Sequence, residues 1–185
     1  MCGIAGYFNP DQNYAENPKQ NFHTLSRMIN TMNHRGPDTY GHTIINSCCL
    51  AHTRLSIIDL ENGRQPMSYT KDGNTYYIVY NGEIYNYKEV KKTLLRKNYT
   101  FETNSDTEVI IAAFCHYGPG FVKELNGIFA IAIYDSMRNT LYLYRDRFGV
   151  KPLYYTKTGD TLVFASRIDT LFEYPRVRPC IDMNS

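Results

Sequence analysis

Residues 1–8 read MCGIAGYF, and the reading of this opening decides the fold. Cys2 follows the initiator methionine directly, Gly3 comes next, and an apolar run reaches Phe8. Such a run predicts a short strand beginning at the very N-terminus. Cys2 then has two readings. It is a small apolar residue starting a strand, a common fate of free cysteine, or it becomes the first residue of the mature protein once Met1 is removed. The second reading carries chemistry. A thiol with an ordinary pKa of ~8.5 is mostly protonated at neutral pH and needs a base. A freed α-amino group ordinarily titrates at about 7.7–8.0. It would sit two bonds from the thiol-bearing carbon and could take that proton directly or through a water, as described for N-terminal threonine nucleophiles. One residue would then supply nucleophile and base. Position leaves both readings open.

Outward from this strand, Leu25, Met28, Ile29 and Met32 recur at i, i+3, i+4, i+7 and predict a helix over residues 23–36. His34 and Arg35 are expected in its last turn, Gly36 in a left-handed cap and Pro37 as the stop. Residues 48–60 (CCLAHTRLSIIDL) read as strand, with Cys48 and Cys49 facing opposite ways. Residues 61–74 read as a polar loop. Residues 75–87 (TYYIVYNGEIYNY) read as two short strands around Asn81-Gly82, a dipeptide typical of hairpin turns. A helix is predicted at 88–98, where Val90 and Leu94 continue a face begun by Tyr87. Another spans 104–118, with Ser105 or Asp106 at the N-cap, Glu108 in the first turn and Gly118 at the exit. Residues 121–125 add a helical turn. Strands follow at 127–135, 139–146, 152–158 and 161–166, with 146–149 bending the chain between two of them. Strands outnumber helices and the helices stand between groups of strands. That predicts an α+β layered protein, not a doubly wound parallel sheet.

The bulk numbers narrow the function classes. The chain has 185 residues, enough for one sizeable core, and a net charge of +2 with scattered basic residues. That balance gives no footprint for nucleic acid. No stretch approaches the ~20 apolar residues of a membrane helix, and no signal peptide opens the chain. Five cysteines, an odd number without CxxC or a zinc-type spacing, fit free thiols in a reducing compartment. A cytoplasmic protein is expected, without a metal site.

The segments MCGIAGYF, HRGPD, RLSIIDL, NGEIYNY, SDTEVI, GIFAIAIYD, RDRFGVKPLYY and FAS occur in this order. Together they resemble the glutamine amidotransferase domain of glutamine-hydrolysing asparagine synthetases, a branch of the N-terminal-nucleophile hydrolases. The resemblance runs from Cys2 to about Ser166. It implies a four-layer αββα sandwich of two antiparallel sheets, and hydrolysis of the glutamine side-chain amide to glutamate and ammonia. Residues 1–170 would form this domain, and 171–185 would begin a linker to an ATP-dependent synthetase domain that turns aspartate into asparagine. No cofactor is expected for the amidotransferase domain; ATP and Mg would belong to the synthetase domain. L-glutamine and that synthetase domain are the expected partners, and a homodimer is compatible with the sequence.

The resemblance also assigns residues. Cys2 would attack the carboxamide carbon, and the Asn81 side chain with the Gly82 backbone N–H would donate to the oxyanion. A lone Asn-Gly reads more simply as a turn, and Gly82 would be required if its φ were positive. Arg54 would fork onto the substrate α-carboxylate, with backbone groups of Leu55, Ser56, Ile57 and Ile58 lining the same pocket. Asp106 would take the α-ammonium group, although it also suits a helix cap, and Glu83, otherwise a plain strand-end residue, would also contact the glutamine. HRGPD reads as mainly structural, near the site at most. One departure stands out. After FAS the family usually has Glu and, two residues on, Lys; here Arg167 and Asp169 reverse both charges. This places the acceptor and the domain interface in question, so two rivals remain: an amidotransferase for another acceptor, and a non-catalytic glutamine-binding module that keeps Met1.

Overall fold

The structure is a computed structural model that describes residues 1–55 and 63–180. In chain order these form β1 (Gly3–Phe8), α1 (Pro18–Met32), β2 (Thr39–Ile45), β3 (Cys48–Arg54), β4 (Met67–Lys71) and β5 (Asn74–Ile84). Then come α2 (Tyr87–Leu95), α3 (Asp106–Tyr117), β6 (Gly127–Asp135), β7 (Thr140–Arg145), β8 (Tyr154–Thr158), β9 (Thr161–Ala165) and the short α4 (Ile168–Leu171). One sheet has the order β2-β3-β1-β9-β8 and the other β4-β5-β6-β7. Every strand pair in both is antiparallel.

Side-chain alternation converts these sheets into four layers. Along β1, Ala5 and Tyr7 pack with Leu25, Met28, Ile29 and Met32 of α1, while Ile4 points the other way. Along β3, Cys49 and Ala51 face α1, whereas Cys48 and Leu50 meet Val79, Ala130, Ala132 and Phe164 between the sheets. Along β6, Ile131 and Ile133 face the opposite way, onto α3. Both faces of the inner strands are therefore covered, and β6 reads as a near-continuous apolar run for that reason. Helix α3 is itself buried along most of its length, between β5 and α2. The expected αββα sandwich is the architecture observed.

Several local expectations need correction. Strands β2 and β4 were not anticipated; both sit at sheet edges with half-exposed side chains, so they lack a strong apolar signal. Helix α1 starts at Pro18, five residues before the expected start at 23, because its polar first turns face solvent. It ends at Met32, so His34 and Arg35 lie beyond it. Gly36 is not left-handed; it is glycine because a Cβ would meet the Arg54 N and Thr53 C atoms at 2.5 Å. The largest revision concerns Asn81-Gly82. There is no hairpin: β5 runs straight through, with Asn81 opposite Ala130 and Gly82 opposite Phe129. Positive φ is not the reason for Gly82 either, since a Cβ there would stand 2.2 Å from the Ile128 carbonyl oxygen. Residues 56–60 of the expected third-strand segment lie outside the described residues. At the other end, Leu171 is buried, and Tyr174 and Val177 pack on the α1 core.

Candidate active site

Three strand ends and one helix start converge beside Cys2. Cys2 precedes β1, and the β1–β3 register sets Gly3 against Thr53, which brings Cys2 to Arg54 and Leu55 at the end of β3. The Leu55 N–H donates to the Cys2 sulfur at 3.4 Å, and the thiol lies 3.6 Å from the Leu55 carbonyl. From the segment after α1, Arg35 Nε donates to the Cys2 carbonyl at 3.1 Å. The HRGPD stretch thus holds the backbone of Cys2. Met1 is present and exposed, so the Cys2 nitrogen is part of a peptide bond.

One pocket is lined by Cys2, Arg54, Leu55, Gly82, Glu83 and Asp106. The guanidinium-bearing Arg54 is only 6 % exposed, whereas Glu83 is open to solvent. Asn81, adjoining Gly82, is almost wholly buried, and its side-chain nitrogen has no hydrogen-bond partner. A buried donor left without an acceptor costs roughly 1–3 kcal/mol, so such an atom points to an occupant. Ser56, Ile57 and Ile58 lie outside the described residues.

The start of α3 resolves the alternative between Ser105 and Asp106. Ser105 is the cap, its Oγ accepting from Thr107 N at 3.1 Å. Asp106 is therefore free to turn its carboxylate toward the pocket, where Oδ2 accepts from the Tyr80 hydroxyl at 2.9 Å and from Ile84 N at 3.4 Å. Burial pushes the Asp106 pKa up, against the opposing pull of those two donors. A carboxylate so placed gains most when a cation arrives.

Three further pocket residues escaped the sequence reading. Gln65 clamps the wall, its Oε1 accepting from Tyr80 N at 2.6 Å and its Nε2 donating to Thr107 Oγ1 at 3.2 Å. Tyr80 supplies the phenol to Asp106. His52 lines the pocket and is 1 % exposed. Its signal was present, since His52 shares a strand face with Arg54 two residues on; Gln65 and Tyr80 gave none. Arg167 and Asp169 lie elsewhere, at the start of α4. There Arg167 forks onto Asp169 at 2.8 and 2.5 Å and reaches His34 Nε2 at 2.8 Å.

Comparison with known proteins follows the same lines. A family model described as a glutamine amidotransferase domain matches residues 1–185. An asparagine synthetase [glutamine-hydrolyzing] of Bacillus subtilis, number 3, is 40% identical over 182 residues, covering 98% of this chain and 29% of the relative. Number 2 of the same organism is 45% identical over 175 residues, covering 95% and 23%. The chain thus spans less than a third of the length of these curated relatives. Among solved structures, glutamine phosphoribosylpyrophosphate amidotransferase from B. subtilis, complexed with ADP and GMP, superposes with a TM-score of 0.71. It is 19% identical and covers 91% of this chain and 42% of that one, which speaks to the fold.

Proposed function

Because the chain belongs to the family of glutamine amidotransferase domains, we propose that it hydrolyses the glutamine side-chain amide with Cys2 as nucleophile. One observation carries the reading: a pocket beside the Cys2 thiol that holds a buried cation, Arg54, and a buried carboxylate, Asp106, together. A free amino acid needs that pair of opposite charges for its carboxylate and ammonium groups. Arg54 would fork onto the α-carboxylate, and Asp106, with Glu83 nearby, would take the α-ammonium. Backbone groups of Leu55, Ser56, Ile57 and Ile58 would complete the pocket.

The chemistry needs removal of Met1, which frees the Cys2 amine. That amine takes the thiol proton as sulfur bonds to the carboxamide carbon, and the oxygen becomes an oxyanion held by Asn81 Nδ2 and the Gly82 N–H. Collapse breaks the C–N bond, the amine's proton passes to the leaving nitrogen, and ammonia departs. Water then hydrolyses the thioester, releasing glutamate and restoring the thiol. Loss of one oxyanion donor costs ~2.7–4 kcal/mol of barrier, so Asn81→Ala should lower kcat by on the order of 100-fold or more. The domain needs no cofactor for these steps.

The same reading extends to the longer protein. Residues 1–170 would form the glutaminase domain, 171–185 would lead into an ATP-dependent domain, and the ammonia would convert aspartate to asparagine there. Free thiols, with Cys2 among them, suit the reducing cytoplasm. The decisive experiment pairs the intact mass of the purified chain with glutamate release from glutamine. Hydrolysis by a chain lacking Met1, abolished in Cys2→Ala with glutamine binding retained, is the expected result. A processed chain that binds glutamine and releases nothing overturns the glutaminase reading.

A further inference from the structure

His52 lines the pocket and Asn81 adjoins its Gly82 wall, and each carries a buried nitrogen without a partner. They are 1 % and 2 % exposed, and Nε2 of His52 and Nδ2 of Asn81 each lack a hydrogen-bond partner. Their placement is complementary. On β3, Cys48 and Leu50 point into the space between the sheets, and His52 continues that alternation; on β5, Val79 does so and Asn81 continues it. The two strands touch across that space. The imidazole also lies against the backbone of Tyr80, the residue bonded directly to Asn81.

Their chemistry is complementary too. The Tyr80 carbonyl favours a ring proton on the nitrogen facing it, and Nε2 is the nitrogen without a partner. The proton therefore sits on Nδ1, and Nε2 keeps its lone pair. Burial first, and the Arg54 charge second, push the His52 pKa down to about 3. The ring is thus an acceptor at every pH near neutrality. Asn81 offers two N–H groups on one nitrogen, and a single oxyanion uses one of them.

We infer that His52 positions Asn81: in the substrate complex its Nε2 accepts one Asn81 side-chain N–H directly, a bond the two groups do not make in the empty pocket, and so aims the other at the developing oxyanion. His52 acts through Asn81 and touches no reacting atom. It fixes which end of the Asn81 amide faces the pocket, because an amide turned over would set its carbonyl oxygen against the Nε2 lone pair and against the oxyanion. The inference rests on the glutaminase reading above.

The test is steady-state glutamine hydrolysis by the Met1-free chain, with thermal melting as a check on folding. His52→Leu removes the acceptor, and kcat should fall on the order of tenfold while KM changes less than about twofold, the signature of a contact felt in the transition state. His52→Gln offers an amide oxygen near the same place and should restore kcat to within about threefold of the parent. Because the two residues act in series, His52→Leu combined with Asn81→Ala should be no slower than Asn81→Ala by itself. If His52→Leu does not fold, His52→Ala with added imidazole supplies the same readout, and recovery of kcat is expected. An unchanged kcat in His52→Leu, a rise in KM with kcat intact, multiplicative losses in the double variant, or no recovery with imidazole each overturns the inference. A parent chain that releases no glutamate overturns the glutaminase reading itself; an active parent with an indifferent His52→Leu overturns only the role of His52.

Discussion

Asp106 and Asp146 are equally covered, each 6 % exposed, yet their environments drive them in opposite directions. Burial raises the Asp106 pKa, and its two donors from outside the helix, Tyr80 and Ile84, do not offset it. Burial also pushes on Asp146, but four backbone N–H groups outweigh it and hold that carboxyl below the usual range. Phe129, Phe148, Val150 and Lys151 donate to Asp146 at 3.0–3.2 Å. With Gly149 at φ 63°, they tie the 146–151 turn into a closed knot. The contrast separates architecture from function. A carboxylate whose donors outweigh its burial organises the chain around itself, whereas one whose burial outweighs its donors gains most from an arriving cation.

The comparison can be broken at either end. The largest effect is expected from Asp146→Asn, which loses a charged acceptor for four N–H groups and turns an NH2 toward some of them. Stability should fall by about 2–4 kcal/mol, seen as a clear drop in Tm, with the glutamine KM of the folded fraction unchanged. A shift in KM without loss of Tm would show that the turn serves the site and not the fold. Asp106→Asn should behave in the opposite way. Removing a charge-assisted contact to the substrate ammonium, about 1.5–3 kcal/mol, should raise KM roughly 10- to 100-fold while Tm holds or rises. A fall in Tm with KM intact would make Asp106 a structural residue.

The smallest effect sharpens the contrast without a change of charge. Tyr80→Phe deletes the phenol that favours ionised Asp106, so the carboxyl pKa, already raised, should climb further. As pH falls through that value Asp106 takes up a proton and loses its hold on the ammonium group. The acid-side rise in glutamine KM should therefore begin at higher pH in Tyr80→Phe than in the parent. An unmoved KM–pH profile would mean that Tyr80 does not govern the charge on Asp106.

How much of this was legible before folding differs residue by residue. The α1 stripe, the capped α3 with its Gly118 exit at φ 68°, and the bend at Asp146 and Gly149 were readable. Each rests on interactions within one or two turns of chain. Strands β2 and β4 were not, because edge strands carry mixed exposure and their identity lies in the neighbour they pair with. The Asn81-Gly82 dipeptide misled for the same reason. Its local preference is a turn, and its pairing with Ala130 and Phe129 of β6 overrides that preference.

The site divides along the same line. The sequence by itself placed a cysteine at position 2, where removal of Met1 would leave an α-amine within reach of the thiol. It also determined the opposite charges of Arg54 and Asp106, and the αββα class, through the order of its segments. Only the tertiary structure decided that Ser105 and not Asp106 caps α3, that Gly82 is small because of the Ile128 carbonyl, and that Arg35 grips the backbone of Cys2. It likewise decided that Gln65, Tyr80 and His52 wall the pocket. The reason is physical: a side chain's chemistry is written in its own atoms, but its burial, its partners and its protonation are properties of what long-range packing sets against it.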